Sequence, residues 1–353
     1  MKKLRLLSLL LYVIRLSAQT DLPNAFPNNH FLVYTTADGL PSNIIHAIAT
    51  DKDGFMWIAT TNGLARYNGQ RFTPFRDLVV HSDLPETQIQ YVFADSHGFL
   101  WLRYASKAVY LMDLRTYKVT ELKDNFWKQD ENYYPSGLED KVGDVWFSVL
   151  EGVVKWQYLD KKWVFYPFTI DSTQKIIRIC KGGDNYFWAT TRQNMYRFDI
   201  QKNVFEKEQN LIGHVAKVRA IETDEAGKLW LSNWYNNKEG VVWYDPQQRQ
   251  ILQVFNEQAA GAFSNTDMWH IHAAEGRVWF AANFGGITAF DPAQNRFQNY
   301  KPDPNNPFSI QSEMVFFIHT DKIGNTWIGT PNGLHCLPKH LKKTQLLKYV
   351  PKS

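Results

Sequence analysis

The strongest constraint on the fold is a tryptophan that recurs at near-constant spacing. Trp57, Trp101, Trp146, Trp188, Trp230, Trp279 and Trp327 stand 42 to 49 residues apart, a period that marks the blades of a radial β structure. Six residues before this anchor the chain places Asp in five copies: Asp51, Asp95, Asp140, Asp224 and Asp321. Three before it stands Gly in six: Gly54, Gly98, Gly143, Gly227, Gly276 and Gly324. The fourth copy departs at both places, with Gly182 and Asn185. The first and last copies are close: "DKDGFMWIATTNGLARYNG" from Asp51 and "DKIGNTWIGTPNGLHCL" from Asp321.

Each part of the unit has a physical reason. In D-x-x-G the Asp side chain accepts from backbone amides ahead of it and the Gly supplies a positive φ, so the segment reads as a tight turn. It joins an apolar strand such as "IIHAIAT" to the anchor strand "FMWIAT", and further short turns lead to "LARYN" and "RFTPF". Four short strands per unit, with connections too short for crossover helices, require antiparallel pairing. Seven such sheets bury their faces best in a ring. The expected fold is therefore all-β, a seven-bladed β-propeller of four-stranded antiparallel blades over residues 31–350, with each anchor Trp wedged between neighbouring blades.

The ring must also close. "FLVY" (Phe31 to Tyr34) has the form of an outer strand and precedes the first complete blade; "LLKYV" (Leu346 to Val350) competes for the same place. The N-terminal strand is the favoured closure, which leaves residues 339–353 as a basic tail or exit strand.

The chain opens with a basic segment (Lys2, Lys3, Arg5), an apolar run from Leu6 to Ile14 and the small-residue stretch Ser17-Ala18-Gln19. This is the layout of an export signal over residues 1–18, with 19–30 as a linker. The run is far shorter than the ~20 residues of a spanning helix, so no membrane insertion is expected of the mature chain. Four of the 39 basic residues and none of the 35 acidic ones lie in this segment, leaving 35 of each. That balance removes the electrostatic case for a nucleic-acid partner. The two cysteines, Cys180 and Cys336, fall in repeats three apart and read as free and buried.

The segment "YTTADGLPSNIIHAIATDKDGFMWIATTNGLARYNGQRFTPF" resembles the two-component regulator propeller repeat, through "GLPSN", the Asp and Gly turn, "W-I-x-T-x-x-G-L" and "R-Y". The resemblance implies an extracytoplasmic sensor region of a bacterial histidine kinase or hybrid two-component system, periplasmic or extracellular. Such regions commonly carry two propellers, a β-sandwich, a membrane helix and a kinase. No kinase histidine box or nucleotide-binding glycines occur in this chain, so it is read as a stand-alone exported propeller or as the N-terminal part of a longer sensor. Its expected partners are a small-molecule or glycan ligand and a membrane sensor kinase or dimer partner. No cofactor is indicated.

Residues outside the repeat carry the ligand expectation. Trp127, Tyr133 and Tyr134 lie in the long segment leading into blade three, Trp234 and Tyr235 in an expanded loop, and Phe284 in "NFGG" of blade six. Rings beside Asn, Asp and Lys suit a carbohydrate, whose faces stack while its hydroxyls seek fixed partners; equally, such rings cover long loops. Trp156, Trp163 and Trp243 read as packed sheet residues. Blade six also breaks the apolar pattern of the innermost strand: where five other blades have Ile or Val, and blade three has Tyr134 and Gly137, it places Asp267 and His270. These would face the channel as a polar or acid–base pair, unless a one-residue slip restores Met268 and Ile271. Two further function classes stay open: an exported lyase or glycosidase, since "GRVWFA" is similar to blades of the streptogramin lyase group with His270 as its candidate, and a protein-interaction scaffold.

Overall fold

Each unit is organised by its turn. In blade one a single Asp51 oxygen accepts from the backbone amides of Asp53 and Phe55, both at 3.0 Å, while the other accepts the Trp57 indole N–H at 2.8 Å. Gly54 completes the turn at φ +92°. The same three-point grip recurs at Asp140, Asp224 and Asp321, and Asp95 holds Phe99 and Trp101 likewise. The repeated Asp therefore shapes the turn and also fixes the anchor ring that follows it, a second role the turn chemistry alone did not reveal.

The computed structural model describes residues 30–79, 83–123, 136–233, 240–255, 263 and 265–339. It contains seven four-stranded antiparallel sheets. Their innermost strands are Ile45–Thr50, Ile89–Ala94, Gly137–Glu139, Arg178–Lys181, Ala220–Thr223, Met268–Ala274 and Phe317–Thr320. The anchor tryptophans are at most 3% exposed. Seven apolar clusters hold one anchor each, together with side chains of the following blade: Trp57 packs with Ile89, Leu100 and Leu102, and Trp327 with Ile45, Ile48 and Ile58. Burial of this kind is worth roughly 2–3 kcal/mol per large side chain. The wedge assignment holds. So does that of the other sheet tryptophans: Trp156 and Trp163 stand 5.1 Å apart beside Trp101, and Trp243 stacks on Trp230 at 4.8 Å.

Closure uses the N-terminal strand. Leu32–Tyr34 pairs antiparallel with Gly333–Leu337, Leu32 opposite Cys336 and Tyr34 opposite Leu334, as the outer strand of blade seven. Tyr34 then stacks on Trp327 at 5.8 Å. "LLKYV" lies outside the described residues. Both cysteines are free and buried. Among the described residues no helix is long and apolar enough to cross a membrane.

Two blades depart from the pattern, each for a local reason. Blade four has Gly182 where others have Asp, and the Tyr186 ring occupies that space: a Cβ on Gly182 would lie 2.3 Å from it. Tyr186 meets Trp188 edge-on at 5.5 Å, and the Trp188 indole N–H has no hydrogen-bond partner among the described residues. Blade six replaces the Asp turn with a two-residue turn at Glu275 (φ +54°) and Gly276 (φ +70°). Positive φ at both central residues is the mark of a type I′ hairpin. This turn is one residue shorter than its counterparts, so Trp279 pairs with His272, seven residues back, where Trp57 pairs with Ala49, eight back. The slip is real, and Met268 and Ile271 are the buried apolar pair.

Candidate functional site

The seven innermost strands surround a central channel of about 680 Å³, with lining residues from every blade. Its layers follow from the register. Opposite the anchors stand Ala49, Phe93, Leu138, Cys180, Glu222, His272 and His319. Two residues earlier come Ala47, Tyr91, Ser136, Arg178, Ala220, His270 and Phe317. Nearer the mouth, where the strands begin, come His46, Gln90, Arg219, Trp269 and Phe316.

The mouth is built from linked aromatic and polar groups. Trp269 meets Phe316 edge-on at 6.0 Å, and Phe316 stacks with His46 at 5.8 Å. His46 contacts the Gln88 amide at 3.1 Å, and Arg103 donates to Gln90 at 2.9 Å. Behind Trp269 lies a buried network. Arg219 donates to both oxygens of Asp267 at 3.1 and 3.3 Å and lies over the Trp269 ring. Asn283 donates to Asp267 at 3.0 Å and accepts from the Trp269 indole at 2.9 Å. Asp267 is thus held by Arg219 and Asn283, and its work is to fix the face Trp269 presents to the channel.

His270 does line the channel. Its Nδ1 accepts from the Ile318 amide at 3.4 Å, and its ring stacks on Phe317 at 4.0 Å. The bonds of Asp267 run to other partners, so the two form no acid–base pair. Deeper, His272 bonds Thr320 at 3.1 Å and His319 bonds Thr50 at 2.6 Å, each from one blade to the next. Burial holds His270 well below its ordinary value, with the charges of His272, Arg178 and His319 adding to it. Burial, with His319 beside it, takes His272 to about 3, and burial takes His319 to about 4. Glu222 goes the other way: burial in the channel wall raises its carboxyl to about 8, against a weaker pull from the Thr223 amide. Among the described residues no group of three or more His, Cys, Asp or Glu is arranged to hold a metal ion.

Of the residues singled out from sequence, Trp127, Tyr133, Tyr134, Trp234 and Tyr235 lie outside the described residues. Phe284 is 54% exposed in the turn after the anchor strand of blade six and does not line the channel. Trp269, Arg178, Tyr91 and Glu222 were not foreseen. Reading the eighth residue before each anchor would have exposed Glu222, a carboxylate in a series otherwise made of Ala49, Phe93, Leu138, Cys180, Ile271 and His319.

The sequence profile of the two-component regulator propeller matches residues 39–62, from "GLPSN" through the first Asp turn to the end of the anchor strand. The chain carries a two-component regulator propeller repeat. No curated protein matches the sequence. Among solved structures this propeller is similar to the extracellular domains of two putative hybrid two-component systems from B. thetaiotaomicron. One has TM-score 0.67 at 17% identity and the other 0.68 at 16%, each over 88% of this chain. The chain spans 42% and 39% of those structures. It is also similar to virginiamycin B lyase from Staphylococcus aureus, with TM-score 0.65 at 17% identity, over 87% of this chain and 97% of that one. At such identities the shared property is the propeller fold.

Proposed function

We propose that this two-component regulator propeller is a non-catalytic, exported, extracytoplasmic sensor unit that binds a small molecule or oligosaccharide and passes the change to a sensor kinase or a second copy. The observation carrying the reading is the channel of about 680 Å³ with aromatic faces and fixed polar groups at its mouth. That volume and composition suit a small-molecule site. A rigid ring suits sensing because its scaffold stays fixed while the residues at its mouth vary. The likeness to extracellular domains of hybrid two-component systems supports an exported location.

The test is a thermal-shift screen of the chain against a library of small metabolites and oligosaccharides. A compound that raises the midpoint, with the rise lost in Trp269→Ala, supports the reading. Hits indifferent to Trp269→Ala move the site elsewhere.

A lyase reading rests on His270 lining the channel and on the likeness to virginiamycin B lyase. Incubation with quinupristin, the compound bound in a structure of an inactive variant of that lyase, decides it. Its disappearance would make the chain an enzyme; the expected result is no loss.

A further inference from the structure

We propose that the channel reads the cis-amide edge of a small neutral ligand, a lactam or a primary carboxamide, through the carboxyl group of Glu222. The inference rests on the ligand-sensing reading and names the class of ligand.

The seams between blades set Glu222 apart from its layer. Polar side chains opposite an anchor reach a hydroxyl one position further along in the next blade. Cys180 Sγ lies 3.5 Å from Thr223 Oγ1, His272 Nε2 3.1 Å from Thr320 Oγ1, and His319 Nε2 2.6 Å from Thr50 Oγ1. Glu222 stands opposite Trp230 in the same register, but blade six supplies Ala273 at the matching place. Its carboxyl therefore has no seam hydroxyl to bond. Glu222 is half-buried and lines the channel. Among the described residues it forms no ion pair, and the Thr223 amide is the one donor that acts on it.

A carboxyl walled in without a cation gives up its charge, because burial favours the neutral form. Glu222 accordingly keeps its proton until about pH 8. Neutral, the group offers an O–H donor beside a carbonyl acceptor. That pair is the complement of a cis amide, whose N–H and C=O point the same way. The carboxyl O–H donates to the ligand carbonyl while its own carbonyl accepts the ligand N–H. Both partners are neutral, so the pairing brings no new charge into the channel. Ala49, Phe93 and Leu138 line the same layer with apolar surface, and Phe317 lies one layer nearer the mouth. These surfaces suit a flat or apolar body behind the amide.

The test is isothermal titration of the full chain, on both sides of pH 8, with 2-quinolone, benzamide and the N-methylated form of each. Below that pH at least one N–H compound should bind roughly tenfold or more tightly than its methylated form. The preference should fade as pH rises through 8. Glu222→Gln, whose amide also sets a donor beside an acceptor, should keep the preference and lose its pH dependence. Glu222→Met should abolish it, with melting midpoints showing that both variants fold; if Glu222→Met does not fold, the pH profile of Glu222→Gln decides. Methylated forms that bind as well, or a preference indifferent to Glu222→Met, overturn the assignment. So does a preference that Glu222→Gln destroys, which would mark a carboxylate site for a cation. If none of these compounds binds but a library compound does so in a Trp269-dependent way, the cis-amide site is wrong and the channel reading stands. If nothing binds at millimolar concentration, both fall.

Discussion

The Trp57 indole N–H donates to Asp51 Oδ2 at 2.8 Å, six residues back across the turn, and four other blades repeat the bond. One carboxylate thus shapes a turn and clamps a wedge. Trp57→Ala should cost about 3–5 kcal/mol as a core deletion. Asp51→Asn, which keeps an acceptor for the turn, should cost only about 1 kcal/mol. Urea unfolding measures both. Equal losses would mean that the clamp, and not the ring it holds, carries the stability.

Blade four provides the natural control. Gly182→Asp alone should destabilise, because Tyr186 fills the space its side chain would need. Combined with Tyr186→Asn, the new carboxylate can reach the Trp188 indole, and the double variant should be more stable than the two single effects sum to. A coupling of about 1 kcal/mol or more is expected in the double-mutant cycle. Strict additivity would show that Trp188 gains nothing from a partner.

Acid should loosen the seams at blade seven. His272 and His319 have folded values of about 3 and 4 against an ordinary 6.5. Protons therefore bind the unfolded chain first, and the stability carried by the neutral rings is complete above 6.5 and lost as pH falls towards those values. Melting midpoints should drop over this window, and His319→Gln should drop less. Parallel profiles for parent and variant would remove His319 from the account.

Glu222 has the opposite sign. Its folded value of about 8 lies above the ordinary 4.5, so its contribution is complete below 4.5 and lost as pH rises through 8. Glu222→Gln should gain on the parent steadily between those limits and level off beyond. A difference that stays flat with pH would mean that the carboxyl is already ionised in the folded chain.

These residues show what the sequence made legible. Tryptophan spacing and the D-x-x-G turn give the blades, because both are set locally, within a few residues. The closing strand was legible through the outer-strand form shared by "FLVY". The register of blade six was legible only as an alternative: the Glu275–Gly276 hairpin is one residue shorter than the Asp turns, and a fixed offset from Trp279 names Asp267 and His270 unless the slip to Met268 and Ile271 is allowed for. The channel was harder still. Tyr91, Arg178 and His270 share one layer of the channel only because the blades converge on one axis, a relationship that no single repeat contains. Aromatic loops drew attention because exposed rings stand out in a list, whereas Trp269 reads as one more strand residue until Arg219 and Asn283 are seen to hold it.

The pairing of Leu32 with Cys336 changes the kind of object the repeats make. Repeats joined only to their neighbours behave as a one-dimensional array, free to fray from either end. Tying the first strand to the last blade abolishes both ends. Opening any joint then strains the whole hoop, so the blades should melt in one concerted transition. In such a hoop, strain introduced at blade four is felt at blade one.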